Sequence, residues 1–359
     1  MNSHYVPQFI LKGFCKNKQL TCCDFDSKST FVKKPKFVFS EYDYYPEQLE
    51  KDLCYKTETA FAKLFHNKLE QAKDTIELTS DEMFTIQKYL IVSSLRYKYE
   101  MTENDKLIFS QIPKQRQHLY RIDSIEALEE ILRYNSTEEL LNYVNDIIKS
   151  RYDSNADNKG DKTDMNAQLF IETREILMNY LIFVRPRENE EFLIPDVGRG
   201  TYQGKLATEK INKAFQLMYN RLSAGLADAL SMELPLKLSI RDYMLYPLTK
   251  NLAVISMSVF YRLVSELARQ GVINNLYDYS NSLGFSDNKI INSRPVEKDG
   301  NFRFRIRNIS TADVCHLNCI SINQAKHFAA CSDLSKIQQS VLFAKEKIES
   351  DISFMQLTN

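Results

Sequence analysis

At 359 residues, with 47 lysines and arginines balanced by 47 aspartates and glutamates, the chain has room for one large domain or two medium ones and carries no formal net charge. That balance argues against a protein devoted to wrapping nucleic acid, though it leaves room for a local basic groove. Nine glycines are too few for glycine-rich nucleotide loops or most doubly wound dinucleotide folds.

In chain order, the first residues are the densest in chemistry. In His4-Tyr5-Val6-Pro7-Gln8-Phe9, proline fixes its own φ and biases Val6 toward extended geometry. An extended segment places His4, Val6 and Gln8 on one face and Tyr5, Pro7 and Phe9 on the other. Strands are expected over Phe9–Phe14 and Leu20–Phe25, flanking the turn Lys16-Asn17-Lys18-Gln19, with further extended pieces at Thr30–Val32 and Val38–Phe39. The period becomes helical from Glu47. Leu49, Leu53, Phe61, Leu64, Phe65 and Leu69 form one apolar stripe, and Thr79-Ser80-Asp81-Glu82 caps a second helix running to Leu95. Helices begin again near Ser124 and at the cap Ser136-Thr137-Glu138-Glu139, a polar loop covers Asp153–Asp164, and Met165–Met178 is helical. Strands return at Tyr180–Arg185 and Glu191–Pro195. Lys205–Met232 reads as helix, Leu236–Ile240 and Met244–Met257 as strands, and Val259–Gln270 as helix. Phe302–Arg307 alternates strictly, and Ile322–Ser350 closes the chain as a helix or broken helix.

These elements define an α+β fold, with a mostly antiparallel sheet built from N-terminal and C-terminal strands and a large inserted helical block. A single composite domain over 1–359 is expected, with a β unit at 1–46, the helical block at 47–180 and mixed β/α structure at 181–359.

The opening residues resemble a large, mostly uncharacterised bacterial family that begins His-Tyr-Val-Pro-x-Phe-x-Leu-x-x-Phe, matched here from His4 to Phe14. Cys23-Asp24-Phe25-Asp26 is similar to the family's acidic turn, Glu50 and Glu58 to its spaced acidic pair, and Ser94-Leu95-Arg96 to its arginine-bearing helix. Leu193–Gly198, Tyr246-Pro247-Leu248-Thr249, and Asn318 with Ala325 are the nearest matches to its later motifs. Proline stands where the family has serine before Asp196. The resemblance implies catalytic candidates at His4, Gln8, Glu58, Arg96 and Asp196, and a binding candidate at Asn318. It also implies a toxin or phage-defence setting.

The residues suggest the same positions on chemical grounds. His4 can act as general base, metal ligand or phosphate contact, or can merely lock a strand. Glu50 and Glu58, a little over two helical turns apart, could join Asp196 in holding a divalent cation, or form solvated ion pairs with neighbouring lysines. Arg96 follows an apolar run, where a guanidinium can grip phosphate or complete a buried pair. Arg303, Arg305 and Arg307 share one face of a strand, as a polyanion site or as charge guarding an exposed edge. Serine-hydrolase, NTPase and zincin signatures are missing.

Seven cysteines fit no simple disulfide framework. Cys315-x-x-x-Cys319 around His316 has no partner pair of like spacing, so reduced buried thiols are expected over zinc. The longest apolar run, Leu252–Tyr261, is about half a membrane span, so a cytoplasmic location without a membrane partner is expected. The functional expectation is hydrolysis of phosphodiesters, with nucleic acid as partner. The alternative is a non-catalytic sensor module for a ligand, nucleic acid or protein.

Overall fold

The computed structural model describes residues 2–42, 44–96, 124–156, 172–178, 181–202, 242–258, 285, 295–348 and 352–356. The fold is α+β. Among the described residues the strands pair antiparallel except for one parallel pairing, and they distribute over four sheets rather than one.

The expected union of N- and C-terminal strands is found in the four-stranded sheet of order β3-β2-β14-β7. It is formed by β2 (Leu20–Asp24), β3 (Ser29–Lys33), β7 (Ile194–Pro195) and β14 (Phe328–Cys331). The central strands form a separate five-stranded sheet of order β13-β6-β10-β9-β8, from β6 (Leu181–Pro186), β8 (Gly200–Tyr202), β9 (Tyr243–Thr249), β10 (Leu252–Met257) and β13 (Arg307–Ile309). Every residue of β9 and β10 is buried, which explains why they read as continuous apolar runs instead of alternating.

The N-terminus departs from the extended reading. β1 (Asn2–His4) pairs with β4 (Ser40–Tyr42), with His4 opposite Ser40. Pro7 then begins a short helix, α1 (Gln8–Lys12), where a strand was expected. Its carbonyl accepts from the N–H groups of Ile10 and Leu11, and proline before a first turn suits a helix because its missing N–H would have been unpaired there. The turn Lys16–Gln19 is as expected, with Asn17 and Lys18 both at positive φ. Gly13 is required for packing: a Cβ there would stand 2.9 Å from Thr249 Cγ2, so α1 lies directly against β9.

The long helix expected from Glu47 is interrupted twice. α2 (Glu47–Leu53) passes through a π-helical turn, Cys54–Glu58, into α3 (Thr59–Leu64), and a second π turn follows at Phe65–Leu69. Then come β5 (Thr75–Thr79), which sequence reading missed, and α4 (Ser80–Arg96). Phe9 of α1 packs on Phe61, Phe65 and Tyr89, with ring centroids about 6 Å apart. The helices α5 (Ser124–Ile131) and α6 (Thr137–Ala156) continue the block. Residues 153–156 therefore belong to a helix instead of the expected polar loop, whose remainder lies outside the described residues. So do the expected elements at 205–232, 236–240 and 259–270.

Phe302–Arg307 is not one strand. β12 (Asn301–Arg305) ends where the N–H of Ile306 turns to the carbonyl of Asp74, and Arg307 opens β13 in a different sheet. β12 lies between β11 (Val296–Lys298) and β5, so it is a central strand, and the guarded-edge reading fails. The expected closing helix is also revised: α7 (Thr311–Gln324), held by a Ser310–Asp313 capping box, precedes β14, and α8 (Gln338–Lys345) follows.

Phe61, fully buried and stacked on Tyr89 at 3.8 Å between ring centroids, anchors the helical block. Phe61→Ala is expected to cost about 3–5 kcal/mol of unfolding free energy in urea titration.

Candidate functional site

The first turn of α2, the π turn after it, the end of α4 and strand β1 bring His4, Glu50, Glu58 and Arg96 into one buried polar cluster. The π turn sets the register. In a straight α-helix residues eight apart are about 80° out of phase, whereas the extra residue of a π turn returns them to within about 20°. Glu50 and Glu58 thus face the same neighbours despite their spacing.

Arg96 is the hub. It is the last residue of α4, only 2% exposed, and it forms an ion pair with Glu58 while its Nη1 donates to the main-chain carbonyl of His4 at 3.0 Å. Its own carbonyl accepts from the hydroxyl of Tyr45. Burial opposes a charge at Arg96, but Glu58 and then Glu50 hold the guanidinium protonated.

Glu50 accepts from the main-chain N–H of His4 and faces the Ser3 hydroxyl. Burial pushes its carboxyl above the ordinary carboxylate value, against the pull of Arg96 and reinforced by Glu58. The imidazole of His4 is held by the main chain at Pro35 and Lys36, and burial, the largest influence, lowers its pKa below 6.5. Eight buried side-chain atoms have no hydrogen-bond partner among the described residues; three of them, His4 Nε2, Glu50 Oε2 and Arg96 Nε, belong to this cluster, and the others are Thr57 Oγ1 and the hydroxyls of Ser3, Ser93, Ser256 and Ser321. Buried polar atoms are rarely left unpaired, and three of these belong to side chains joined by charge or hydrogen bond around Arg96.

The backbone beside them is strained. Phe39, buried at 3% exposure, sits at φ 54°, a region that costs a bulky residue about 1–3 kcal/mol. It is held there by the N–H of Tyr5 on its carbonyl and by the Tyr5 ring, which also meets Tyr44. Tyr5, Val6 and Pro7 then line a small pocket with Tyr89, Ser93 and Tyr246, with room for about one water.

The remaining sequence candidates lie elsewhere. Gln8 is exposed at the start of α1. Asp196 is buried, but its carboxylate is consumed by main-chain donors: Val197 and Lys326 N–H on Oδ1, both at 2.9 Å, and His327 and Phe328 N–H on Oδ2, at 2.7 and 3.0 Å. It clamps the link between α7 and β14. The N-terminal segment does approach this loop, through Val6, whose Cγ2 lies 3.5 Å from a Cβ built on Gly198, but the contact is apolar. Asn318 is wholly buried and likewise structural. Its Oδ1 accepts from Leu193 N–H at 3.1 Å, and its Nδ2 donates to Glu191 O and Ser340 Oγ.

Arg303 and Arg305 are exposed on one face of β12, but Arg303 Nε lies 3.4 Å from Glu77 Oε1, and Arg307 is half-buried in another sheet, so no continuous row exists. His316 hydrogen-bonds Tyr243 Oη at 2.9 Å, and no three His, Cys, Asp or Glu side chains group as metal ligands among the described residues. Sequence reading missed Tyr45, for which the aromatic stretch before Pro46 was the available signal.

Fold and site together define an α+β protein whose N-terminal strand is built into a buried histidine–carboxylate–arginine cluster. The chain belongs to the family of proteins of unknown function designated DUF4238, whose model matches residues 2–334. No curated protein and no solved structure matches it. No described helix is long and apolar enough to cross a membrane.

Two substitutions separate the cluster from the clamp. Arg96→Met leaves Glu50 and Glu58 without their cation and is expected to cost about 3–5 kcal/mol at neutral pH. Glu50, already raised above 4.5, is raised further without Arg96. A buried acid with a raised pKa favours folding while protonated and opposes it once ionised, so the deficit should shrink as pH falls from 7 towards 4.5 in urea titrations. Asp196→Ala leaves main-chain donors unpaired and is expected to lower stability by about 3 kcal/mol, with the His4 imidazole NMR titration unchanged.

Proposed function

We propose that this chain is a cytoplasmic hydrolase of phosphodiesters that uses the cluster around Arg96 as its active site. The observation that supports this reading is that three buried atoms without a partner among the described residues, an imidazole nitrogen, a carboxyl oxygen and a guanidinium N–H, belong to side chains of the cluster around Arg96. Together they offer a base, an acid and a cationic donor to one anionic ligand.

In the reaction, His4 Nε2 takes a proton from water as the water oxygen bonds to phosphorus. The bond from phosphorus to the leaving oxygen breaks, and that oxygen takes the proton of the Glu50 carboxyl. Arg96 Nε–H donates to a non-bridging oxygen as charge develops there. Glu58 holds the guanidinium in place, and Tyr45 fixes the end of α4. His4 and Glu50 then exchange their protons with solvent, releasing a phosphomonoester and an alcohol. The pKa directions suit these roles: burial keeps His4 neutral and Glu50 protonated further into their working ranges than in water.

A second reading is a non-catalytic ligand-sensing module. It is favoured by the use of Arg96 Nη1 on the carbonyl of His4 and by the small size of the neighbouring pocket.

Hydrolysis of bis(4-nitrophenyl) phosphate and of a labelled single-stranded oligonucleotide tests the proposal. His4→Gln and Glu50→Gln are each expected to lower kcat/KM by about 10²–10⁴-fold while the melting temperature stays within a few degrees. The pH profile should be a bell whose acid limb, set by His4, lies below 6.5 and whose alkaline limb, set by Glu50, lies above 4.5. Turnover equal in wild type and both variants would overturn the catalytic reading.

A further inference from the structure

Between Asp26 and Glu41 the chain has no acidic residue and four lysines, Lys28, Lys33, Lys34 and Lys36. This segment forms β3, at the edge of the four-stranded sheet, and the short 3-10 turn Pro35–Phe37. All four lysines are exposed, as are Val32 at 57% and Phe37 at 60%. Two lysines lie over aromatic rings: Lys33 Nζ is 4.6 Å from the Phe31 ring centre, and Lys36 Nζ is 4.6 Å from that of Phe37. Ammonium groups and ring faces are therefore interleaved on one stretch of surface. The same turn holds His4, whose imidazole bonds to the main chain at Pro35 and Lys36. The basic stretch ends at the cluster.

We infer that residues 28–37 form a docking surface for a single-stranded nucleic acid, delivering its phosphodiesters to the site beside His4. This rests on the reading of that site as a phosphodiesterase and names its substrate class. Spaced lysines match successive phosphates, and exposed aromatic faces accept unstacked bases without regard to sequence. A chain that is neutral overall confines this attraction to one place, because beyond about 8–10 Å charges are screened at ordinary salt. A duplex has its bases stacked inside and would leave Phe37 unused. The face around Arg303 is the poorer polyanion candidate, since Glu77 sits within it.

The test is fluorescence anisotropy with a 5′-labelled oligo(dT) 20-mer at several salt concentrations, using full-length protein. The triple variant Lys33→Gln/Lys34→Gln/Lys36→Gln is expected to bind at least tenfold more weakly at low salt. Its plot of log K against log salt should be shallower by about 2, because each lost phosphate contact on a single strand removes about 0.7. Phe37→Ala should weaken binding several-fold with the slope unchanged. The lysine variant should still hydrolyse bis(4-nitrophenyl) phosphate at the wild-type rate, and unchanged melting would exclude misfolding, since every altered side chain is exposed.

If the oligonucleotide binds with this signature but nothing is hydrolysed, the catalytic reading fails and the docking surface stands. If the small substrate is hydrolysed through His4 but the lysine variant binds the oligonucleotide with unchanged affinity and slope, the docking surface is wrong and the catalytic reading stands. Binding to vesicles of phosphatidylserine and phosphatidylcholine, with none to the oligonucleotide, would overturn the inference in favour of a membrane surface.

Discussion

A guanidinium removed from water needs opposite charge and acceptors close by, and the organisation of this protein follows from supplying them to the terminal nitrogens of Arg96. The matching groups come from three separate parts of the chain: Glu58 from the π turn after α2, the carbonyl of His4 from the N-terminal strand, and the surrounding field of Glu50. Removing any one of them leaves a buried charge short of a partner, which costs far more than a surface pair is worth. The arginine therefore ties the first residues of the chain, which would otherwise fray, to the helical block.

The same constraint leaves the region chemically open. Arg96 spends its two terminal nitrogens on protein groups, while Nε, like His4 Nε2 and Glu50 Oε2, has no partner among the described residues. A purely structural cluster would close such gaps, because each unpaired buried group subtracts from stability. The π turn and the left-handed Phe39 add local cost in the same place. Unpaired atoms, an irregular helix and a strained residue in one region are the marks of a site kept for something other than stability. The basic turn that roofs His4 connects this interior to the surface.

The other candidates show how the same residue types serve packing. Asp196 and Asn318 are as buried as Arg96, but each of their polar atoms is matched by main chain or by Ser340. Satisfied in this way, they brace the junctions of α7 with β7 and β14 and have nothing left for a ligand. Burial of a polar side chain does not identify a site; unmet hydrogen-bonding capacity on several charged or titratable groups held together is the stronger mark.

Local pattern was enough to establish the α+β class, the helical block, the Lys16–Gln19 turn and the inward alternation of Phe302, Phe304 and Ile306, because these depend on periodicity and turn chemistry within a few residues. It also singled out His4, Glu58 and Arg96. The capping box at Ser310–Asp313 and the Asp299-Gly300 turn were equally legible, although the helix and hairpin they mark were not read from them. Tertiary structure alone decided the rest. Phe9 lies in a helix since Pro7 starts one and the ring is drawn onto Phe61, Phe65 and Tyr89. The arginine row breaks because the N–H of Ile306 leaves the ladder for Asp74. Glu50 and Glu58 align only through an inserted residue of π helix, and Asp196 is taken up by amides some 130 residues away. Whether a polar side chain is spent or free depends on partners distant in sequence, and no local period encodes them.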